Sequence, residues 1–260
     1  MATGIITRRG GSVENVETAP TAFAFGGDIY EFNDGVDDWR AHEFTENGTF
    51  VVTEPGEMEY LIVAGGGSGT LGSSRSSDGA GGGVIGQFTY PNGTKTLSPL
   101  VTEIPEGSYT VVVGQQPTNS NQQGPNSSFL GQTAIGGGKG DHDSPAGDGG
   151  SGGGASPSGY GGSPNSPGQA VGGDNLGNDG GTTTGSFYPG GSGSVMAAGG
   201  TGSSSGSGSN GPGAEIELSG RTLFVGGVGR ADNRNDRFGY GHRAYYYASH
   251  SGIVIIRYKV

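Results

Sequence analysis

The glycine-rich block between Gly136 and Gly213 constrains the fold most, since 30 of its 78 residues are glycine. Apolar, strand-like runs stand on both sides of it, and the last of them, residues 252–258, closes the chain. A disordered tail would not lead into an ordered aliphatic ending of this kind. We therefore interpret the block, about residues 131–213, as an insertion held inside a folded domain.

Three kinds of glycine-rich structure can be compared with this block. Collagen needs glycine at every third position, but Gly136, Gly137 and Gly138 occupy all three phases. A flexible linker fits the serine content, yet linkers of about 80 residues are uncommon inside compact domains. The remaining candidate is a bundle of extended three-residue helices of the polyproline II type, whose backbones exchange hydrogen bonds.

The cost of ordering glycine indicates what must hold such a block together. Each glycine loses about 0.5–1 kcal/mol more than alanine on ordering, so thirty of them lose roughly 15 kcal/mol or more. That is comparable with the whole stability of a domain. Hydrogen bonds at about 1 kcal/mol each are the available compensation. If the block is ordered, its interior must therefore be hydrogen-bonded peptide.

The rest of the chain predicts strands and almost no helix. Residues 57–64 alternate and then become continuously apolar, as in a strand that enters a core, and Asn47-Gly48 favours a hairpin turn. Further strand-like runs are residues 49–52, 84–90, 108–114, 126–131, 215–218, 223–225 and 253–258. No stretch shows a sustained 3.6-residue period. The predicted fold is all-β, a sandwich or jelly-roll-like base with an inserted polyglycine II-type helical bundle.

Composition narrows the classes of function. The net charge of −11 argues against nucleic-acid binding, which needs a basic face. The chain has no cysteine, which excludes disulfides and thiolate metal sites. No apolar run approaches the roughly 18–20 residues of a membrane helix, and the N-terminus does not resemble a secretory signal. We expect a protein that folds in a cytoplasm and does not insert into membranes.

Residues 1–43 differ from the rest in their acidic and aromatic content. We interpret them as an N-terminal arm, followed by a glycine-rich β domain over residues 44–260. The aromatic density predicts docking on a partner or on the main domain. The candidate attachment residues are Phe23, Phe25, Tyr30, Phe32 and Trp39.

The order of motifs from about Glu43 to Val260 resembles a known family. It comprises Phe44-Thr45, Gly48-Thr49-Phe50, residues 60–67, Gly81-Gly82-Gly83-Val84-Ile85-Gly86, residues 109–114, Asn126-Ser127-Ser128-Phe129, glycine-rich loops and residues 251–258. This pattern is similar to the glycine-rich domain at the ends of bacteriophage tail fibres and in related phage and bacterial surface proteins. Each motif alone is weak, and residues 1–43 lie outside the resemblance.

The resemblance implies a structural virion protein at a tail fibre or tail tip that binds the host surface. Its expected partners are other virion proteins of the fibre or baseplate, and a host surface glycan or outer-membrane protein. A homotrimer is compatible with it, and so is a monomeric tip on a trimeric fibre. The alternatives are a head or tail decoration protein, a bacterial extracellular matrix or carbohydrate-binding protein, and a depolymerase.

A basic-aromatic cluster near the C-terminus is the candidate receptor-binding site. Tyrosine and arginine dominate recognition surfaces because they combine large contact area with polar groups. The alternative is that these rings cap the end of the sandwich or contact a neighbouring subunit. The candidate residues are Arg237, Phe238, Tyr240, His242, Arg243, Tyr245, Tyr246 and Tyr247.

Motifs for catalysis or cofactors are weak in this chain. A phosphate-binding loop needs Gly-Lys-Ser/Thr, but Gly140 follows Lys139. The calcium nonapeptide needs Asp where His142 stands. The four histidines lack metal-ligand spacing, and nothing singles out a carboxylate pair. We expect neither an enzyme nor a bound cofactor or metal.

Overall fold

The computed structural model describes residues 22–70, 77–141, 145–157, 168–170, 174–184, 188–229, 236–242 and 249–260. These residues form strands, extended segments and one 3₁₀ turn at Pro91–Gly93, which confirms the predicted all-β class. No described helix has the length and apolarity needed to cross a membrane. The strands are β1 (Phe23–Phe25), β2 (Asp28–Asn33), β3 (Asp38–Phe44), β4 (Gly48–Glu54), β5 (Gly56–Val63), β6 (Val84–Ile85), β7 (Gln87–Thr89), β8 (Thr96–Ser98), β9 (Leu100–Ile104), β10 (Gly107–Val111), β11 (Ser127–Phe129), β12 (Gln132–Ala134), β13 (Asn175–Leu176), β14 (Ala214–Ile216), β15 (Leu223–Val225), β16 (Arg237–Phe238) and β17 (Ile253–Lys259).

A seven-stranded antiparallel sheet forms the centre of the fold. Its order is β13-β6-β5-β17-β3-β2, and β9 also pairs with β5. The central strand β17 is buried along most of its length, which explains its continuous apolar run. Its side chains alternate between two cores, with Val254, Ile256 and Tyr258 in one and Ile253 and Ile255 in the other.

The first core lies between the central sheet and a three-stranded sheet of order β1-β4-β10. Phe50 of β4 and Phe129 of β11 are buried there and meet edge to face, with ring centroids 5.9 Å apart. Ala24 of β1 and Val111 of β10 belong to the same core. This is the predicted sandwich base.

The second core covers the other face of the central sheet. Ile216 of β14 and Leu223 and Val225 of β15 pack there with Leu61 and Val63 of β5. The sheet β14-β15-β16 and the β7–β8 hairpin supply this layer. The central sheet is therefore covered on both faces.

The turn at Asn47 does not form the predicted hairpin. Strand β3 belongs to the central sheet, whereas β4 belongs to the three-stranded sheet, so the chain crosses here between the layers. The Asn47 side chain accepts a hydrogen bond from the Val113 amide at 2.8 Å, which ties the crossing to the end of β10. The hairpin prediction was wrong because a local turn signal does not choose the pairing partner.

The predicted domain boundary after residue 43 lies between paired strand residues. It falls inside β3, which pairs with β17 over six residues, Trp39 to Phe44. Strand β1 pairs with β4, and β2 pairs with β3. Residues 22–43 therefore contribute strands to the sheets that the later residues form. Residues 1–21 lie outside the described part of the chain, and the division into an arm and a domain stays a prediction.

Backbone hydrogen bonds join the glycine-rich segments, and their direction repeats every three residues. In residues 64–69, amides three residues apart donate to the same neighbouring segment. Ala64 and Gly67 donate to segment 79–83, at Gly83 and Ala80, and Gly65 and Ser68 donate to segment 122–126, at Pro125 and Gln122. Gly66 and Gly69 donate to His250 and His242. In the long block, Gly190 and Gly193 donate to Ala155 and Gly152, and Gly191 and Ser194 to Gly200 and Ala197. A helix of three residues per turn directs its amides in this way. The predicted three-residue helices and their hydrogen-bonded interior are present.

This glycine network extends beyond the predicted insertion at residues 131–213. Segments 64–69, 79–83, 122–126, 226–229 and 239–242 take part in it as well. The segments pack so closely that a Cβ on Gly136 would lie 1.6 Å from the carbonyl oxygen of Gly124. Only glycine leaves room for this approach.

Candidate functional site

The described part of the predicted receptor-binding cluster lies within the fold rather than on its surface. Arg237 and Phe238 form β16, which runs parallel to β15. Phe238 is buried in the second core, and Arg237 is half-buried with its guanidinium 5.1 Å from the Tyr240 ring centroid. Arg237 and Phe238 therefore face the interior in part or in full, and their receptor-binding role stays a prediction.

Tyr240 and His242 are built into the glycine network. The His242 amide donates to Gly67, and its carbonyl accepts from Gly69 and Gly79. The side chains of Tyr240 and His242 are 7% and 3% exposed. With Phe238, they are closed to a receptor in this arrangement. Arg243, Tyr245, Tyr246 and Tyr247 lie outside the described residues, so their receptor-binding role stays a prediction.

Two of the predicted attachment residues lie together at the edge of the three-stranded sheet. The rings of Phe23 and Phe25 meet edge to face, with centroids 5.1 Å apart. The Arg40 guanidinium lies 4.7 Å from the Phe23 ring, and Phe25 is 51% exposed. These side chains form a small aromatic surface beside β2.

The other three predicted attachment residues lie on the central sheet. Phe32 is opposite Trp39 in the β2–β3 register, and Tyr30 lies two residues before Phe32 on the same face. Tyr30 and Phe32 are half-buried. Trp39 is buried, with the Arg257 guanidinium 4.0 Å from its ring and its indole N–H donating to Asp34 at 2.8 Å. Trp39 therefore packs within the fold, and the attachment role of the five residues stays a prediction.

A buried ion pair that the sequence did not indicate joins the N-terminal strands to the second layer. The Glu43 carboxylate is 1% exposed and pairs with Arg221, and Ser219 donates to the same carboxylate. The hydrogen bond to Glu43 raises the pKa of Arg221. These partners are separated by 178 residues, so no local pattern could reveal the pair.

A family model described as a glycine-rich domain matches residues 45–259. The chain belongs to this family. A comparison with curated proteins finds no match. The resemblance seen in the sequence is thus confirmed at the level of the glycine-rich domain. Strands β1, β2 and β3 precede the matched residues but complete the sheets of the glycine-rich domain.

A groove of about 590 Å³ opens beside the second core of the glycine-rich domain, between β8 and β14. Leu97, Met196 and Ile216 contribute apolar surface to it. Lys95 donates from its ammonium group to the Met196 carbonyl at 3.2 Å, and Arg257 donates to Glu59 at 2.7 Å. Polar side chains, among them Glu215 and Glu217, line the groove beside these apolar residues, so its surface is mixed. The sequence gave no sign of this groove, because its walls come from segments far apart in the chain.

In the part of the chain that the structure describes, no three His, Asp or Glu side chains are placed to hold a metal ion together. Asp141, which follows the glycine run 136–140, pairs instead with the Lys139 ammonium at 2.8 Å.

Proposed function

We propose that this glycine-rich domain is a structural phage virion protein, an adhesin of the tail fibre or tail tip that binds the host cell surface. A recognition protein needs a rigid frame that holds its contact residues in place. Here the frame would be the glycine network, in which backbone hydrogen bonds replace much of the side-chain core. The resemblance to tail-fibre domains supports the same assignment.

Hydrogen bonds of the glycine network hold the chain on both sides of residues 243–248. The His250 amide donates to the Tyr240 carbonyl at 2.9 Å, so the chain returns after residues 243–248 to the place it left. His242, on the other side of that segment, donates to Gly67. The segment contains Arg243 and the three tyrosines Tyr245, Tyr246 and Tyr247, and the network anchors both of its ends. Anchoring on both sides suits residues that must be held in place for recognition.

The proposal includes partners and location. The contact on the host would be a surface glycan or an outer-membrane protein, without catalysis and without a cofactor. Fibre or baseplate proteins would hold the domain on the virion, as a homotrimer or as a single tip, after assembly in the host cytoplasm. The exposed Phe25 and its neighbour Phe23 are the surface available for that attachment.

The location is tested by immunogold electron microscopy of phage particles produced from the genome that encodes the chain. We expect label at the distal end of the tail. Label on the head or along the tail would favour a decoration protein. Absence from every particle would favour the bacterial extracellular protein and overturn the proposal.

The recognition role is tested by adsorption. Purified domain should compete with phage for host cells, and replacing Tyr245, Tyr246 and Tyr247 together with serine should abolish the competition. The matched control replaces Tyr90 and Tyr188, which are exposed elsewhere, and should compete like the wild type. Equal competition by the triple variant would refute the role of these tyrosines.

A further inference from the structure

Strand β2 is the last strand of the central sheet, and its outer edge has no partner among the described residues. The outward-facing groups follow from the hydrogen-bond alternation of antiparallel strands. The Asp34 amide donates to the Asp37 carbonyl and closes the turn. Every second residue before Asp34 then also forms its backbone hydrogen bonds with β3, and these residues are Phe32, Tyr30 and Asp28. The Val260 amide donates to the Asp38 carbonyl, so the backbone groups of Asp38 face β17 and not β2. Asn33, which lies opposite Asp38, therefore has no backbone hydrogen bond to β3, in agreement with this alternation.

Ile29, Glu31 and Asn33 therefore direct their N–H and C=O groups away from the sheet. No described residue donates to or accepts from these backbone groups. Ile29 is 49% exposed, and the Glu31 side chain is 61% exposed. The unpaired N–H and C=O groups of these three residues form a row to which the backbone of an extended chain can form hydrogen bonds.

Negative charge beside the outer edge of β2 determines which kind of strand could pair there. Asp28 and Glu31 lie on β2, and Asp34, Asp37 and Asp38 lie in or beside the turn that follows. In the described structure, Arg40 pairs with Glu31 and Lys259 pairs with Asp37, and the Arg221 guanidinium lies 5.4 Å from the Tyr30 ring, so the carboxylates outnumber the cations at this edge. The edge is therefore acidic, and the chain as a whole carries −11. A second copy of β2 would be repelled, whereas a basic strand would be attracted.

The two faces beside the edge offer apolar contacts. On one face, Ile29 stands next to Glu31 and its partner Arg40, which covers Phe23. On the other face, Tyr30 and Phe32 are half-buried. Side chains of an added strand would alternate between these faces. Apolar residues at alternate positions would extend both surfaces.

We propose that the open edge of β2 accepts an extended segment of another protein, with alternating apolar and basic residues, as an additional antiparallel or parallel strand. Backbone bonds to Ile29, Glu31 and Asn33 provide the pairing, and the acidic side chains select the basic partner. This inference does not depend on the proposed host-binding function, because it rests on the sheet edge alone.

Amide hydrogen exchange on the purified full chain tests it. The probe is an eight-residue peptide of alternating lysine and valine, and the control peptide alternates glutamate and valine. With the lysine peptide, exchange at Ile29, Glu31 and Asn33 should slow by at least about tenfold. The glutamate peptide should change nothing. Unchanged exchange with the lysine peptide, or amides already protected in the free chain, would overturn the proposal.

Two variants locate the effect at this edge. Ile29→Pro removes an outward N–H, which an edge strand tolerates, and should abolish protection at Glu31 and Asn33. Ile29→Val keeps the N–H and should retain protection. Should Ile29→Pro fail to fold, Asp28→Lys decides, because it should weaken protection by the lysine peptide severalfold. Full protection in a folded Ile29→Pro chain, or in Asp28→Lys, would contradict strand addition at this site.

Discussion

Replacing Gly136 with alanine tests whether close backbone packing holds the glycine network together. The new Cβ would lie 1.6 Å from the Gly124 carbonyl oxygen, so the two segments would have to separate by at least about 1 Å. Three hydrogen bonds meet at this place. The Gly136 amide donates to Asn126 at 2.9 Å, and the amides of Gly150 and Gly124 donate to Gly136 and Gly137 at 2.8 Å.

The expected loss of stability can be worked from these contacts. Three lost bonds at about 1 kcal/mol each, with about 1–3 kcal/mol for overpacking, give a loss of about 4–6 kcal/mol. At about 2–4 °C for each kcal/mol in a domain of this size, the Tm should fall by about 8–24 °C. Urea unfolding followed by the fluorescence of Trp39, the one tryptophan, measures the free energy directly.

Gly206→Ala is the matched control. A Cβ on Gly206 would meet nothing within 4 Å. The same chemical change should therefore stabilise this position by about 0.4–1 kcal/mol, because alanine restricts the unfolded chain. The two substitutions are expected to have opposite signs. Agreement of their unfolding free energies to within about 1 kcal/mol would refute the packing argument.

Three further results are expected. Glu43→Gln should lower the unfolding free energy by about 1–3 kcal/mol because the buried carboxylate loses its charged pairing with the half-buried Arg221. Glu46→Gln, at an exposed position, should change it little in the same urea titration. Burial lowers the pKa of His42, so folding favours its neutral form, and the free energy of unfolding should decline as the pH falls below about 6.5. If the unfolding free energy of His42→Gln declined with pH as steeply as that of the wild type, this explanation would be contradicted. Amides of the block 136–213 that donate within the network should exchange slowly with solvent, and rapid exchange throughout the block would show that it is not ordered as described.

Local signals in the sequence predicted the core strands β4, β5, β10 and β17 and the organisation of the glycine segments, but not β1, β2, β8 or β9. The aliphatic run 253–258 became β17, and the broken glycine phase at Gly136 correctly excluded collagen. The hydrogen-bonded interior followed from the entropy of glycine. These features depend on composition and short-range pattern, so the sequence alone could reveal them.

Features that depend on distant partners could not be predicted in this way. The Glu43–Arg221 pair joins residues far apart in the chain, and the crossing at Asn47 depends on which sheet receives β4. The aromatic density near Tyr240 predicted residues that contact a receptor, but Tyr240 is buried and makes its contacts within the fold. Composition indicates that such side chains make contacts, and only the tertiary fold decides with what.

The three-residue repeat of the hydrogen bonds limits how this chain can change in length. Three residues added at the end of a glycine segment supply one full turn and return later amides to the same direction. One or two added residues rotate those amides by about 120° or 240°, away from their acceptors. Loops between the segments are free of this rule. We therefore expect insertions in steps of three within the segments and of any length between them, so that the loops can diverge while the segments stay in phase.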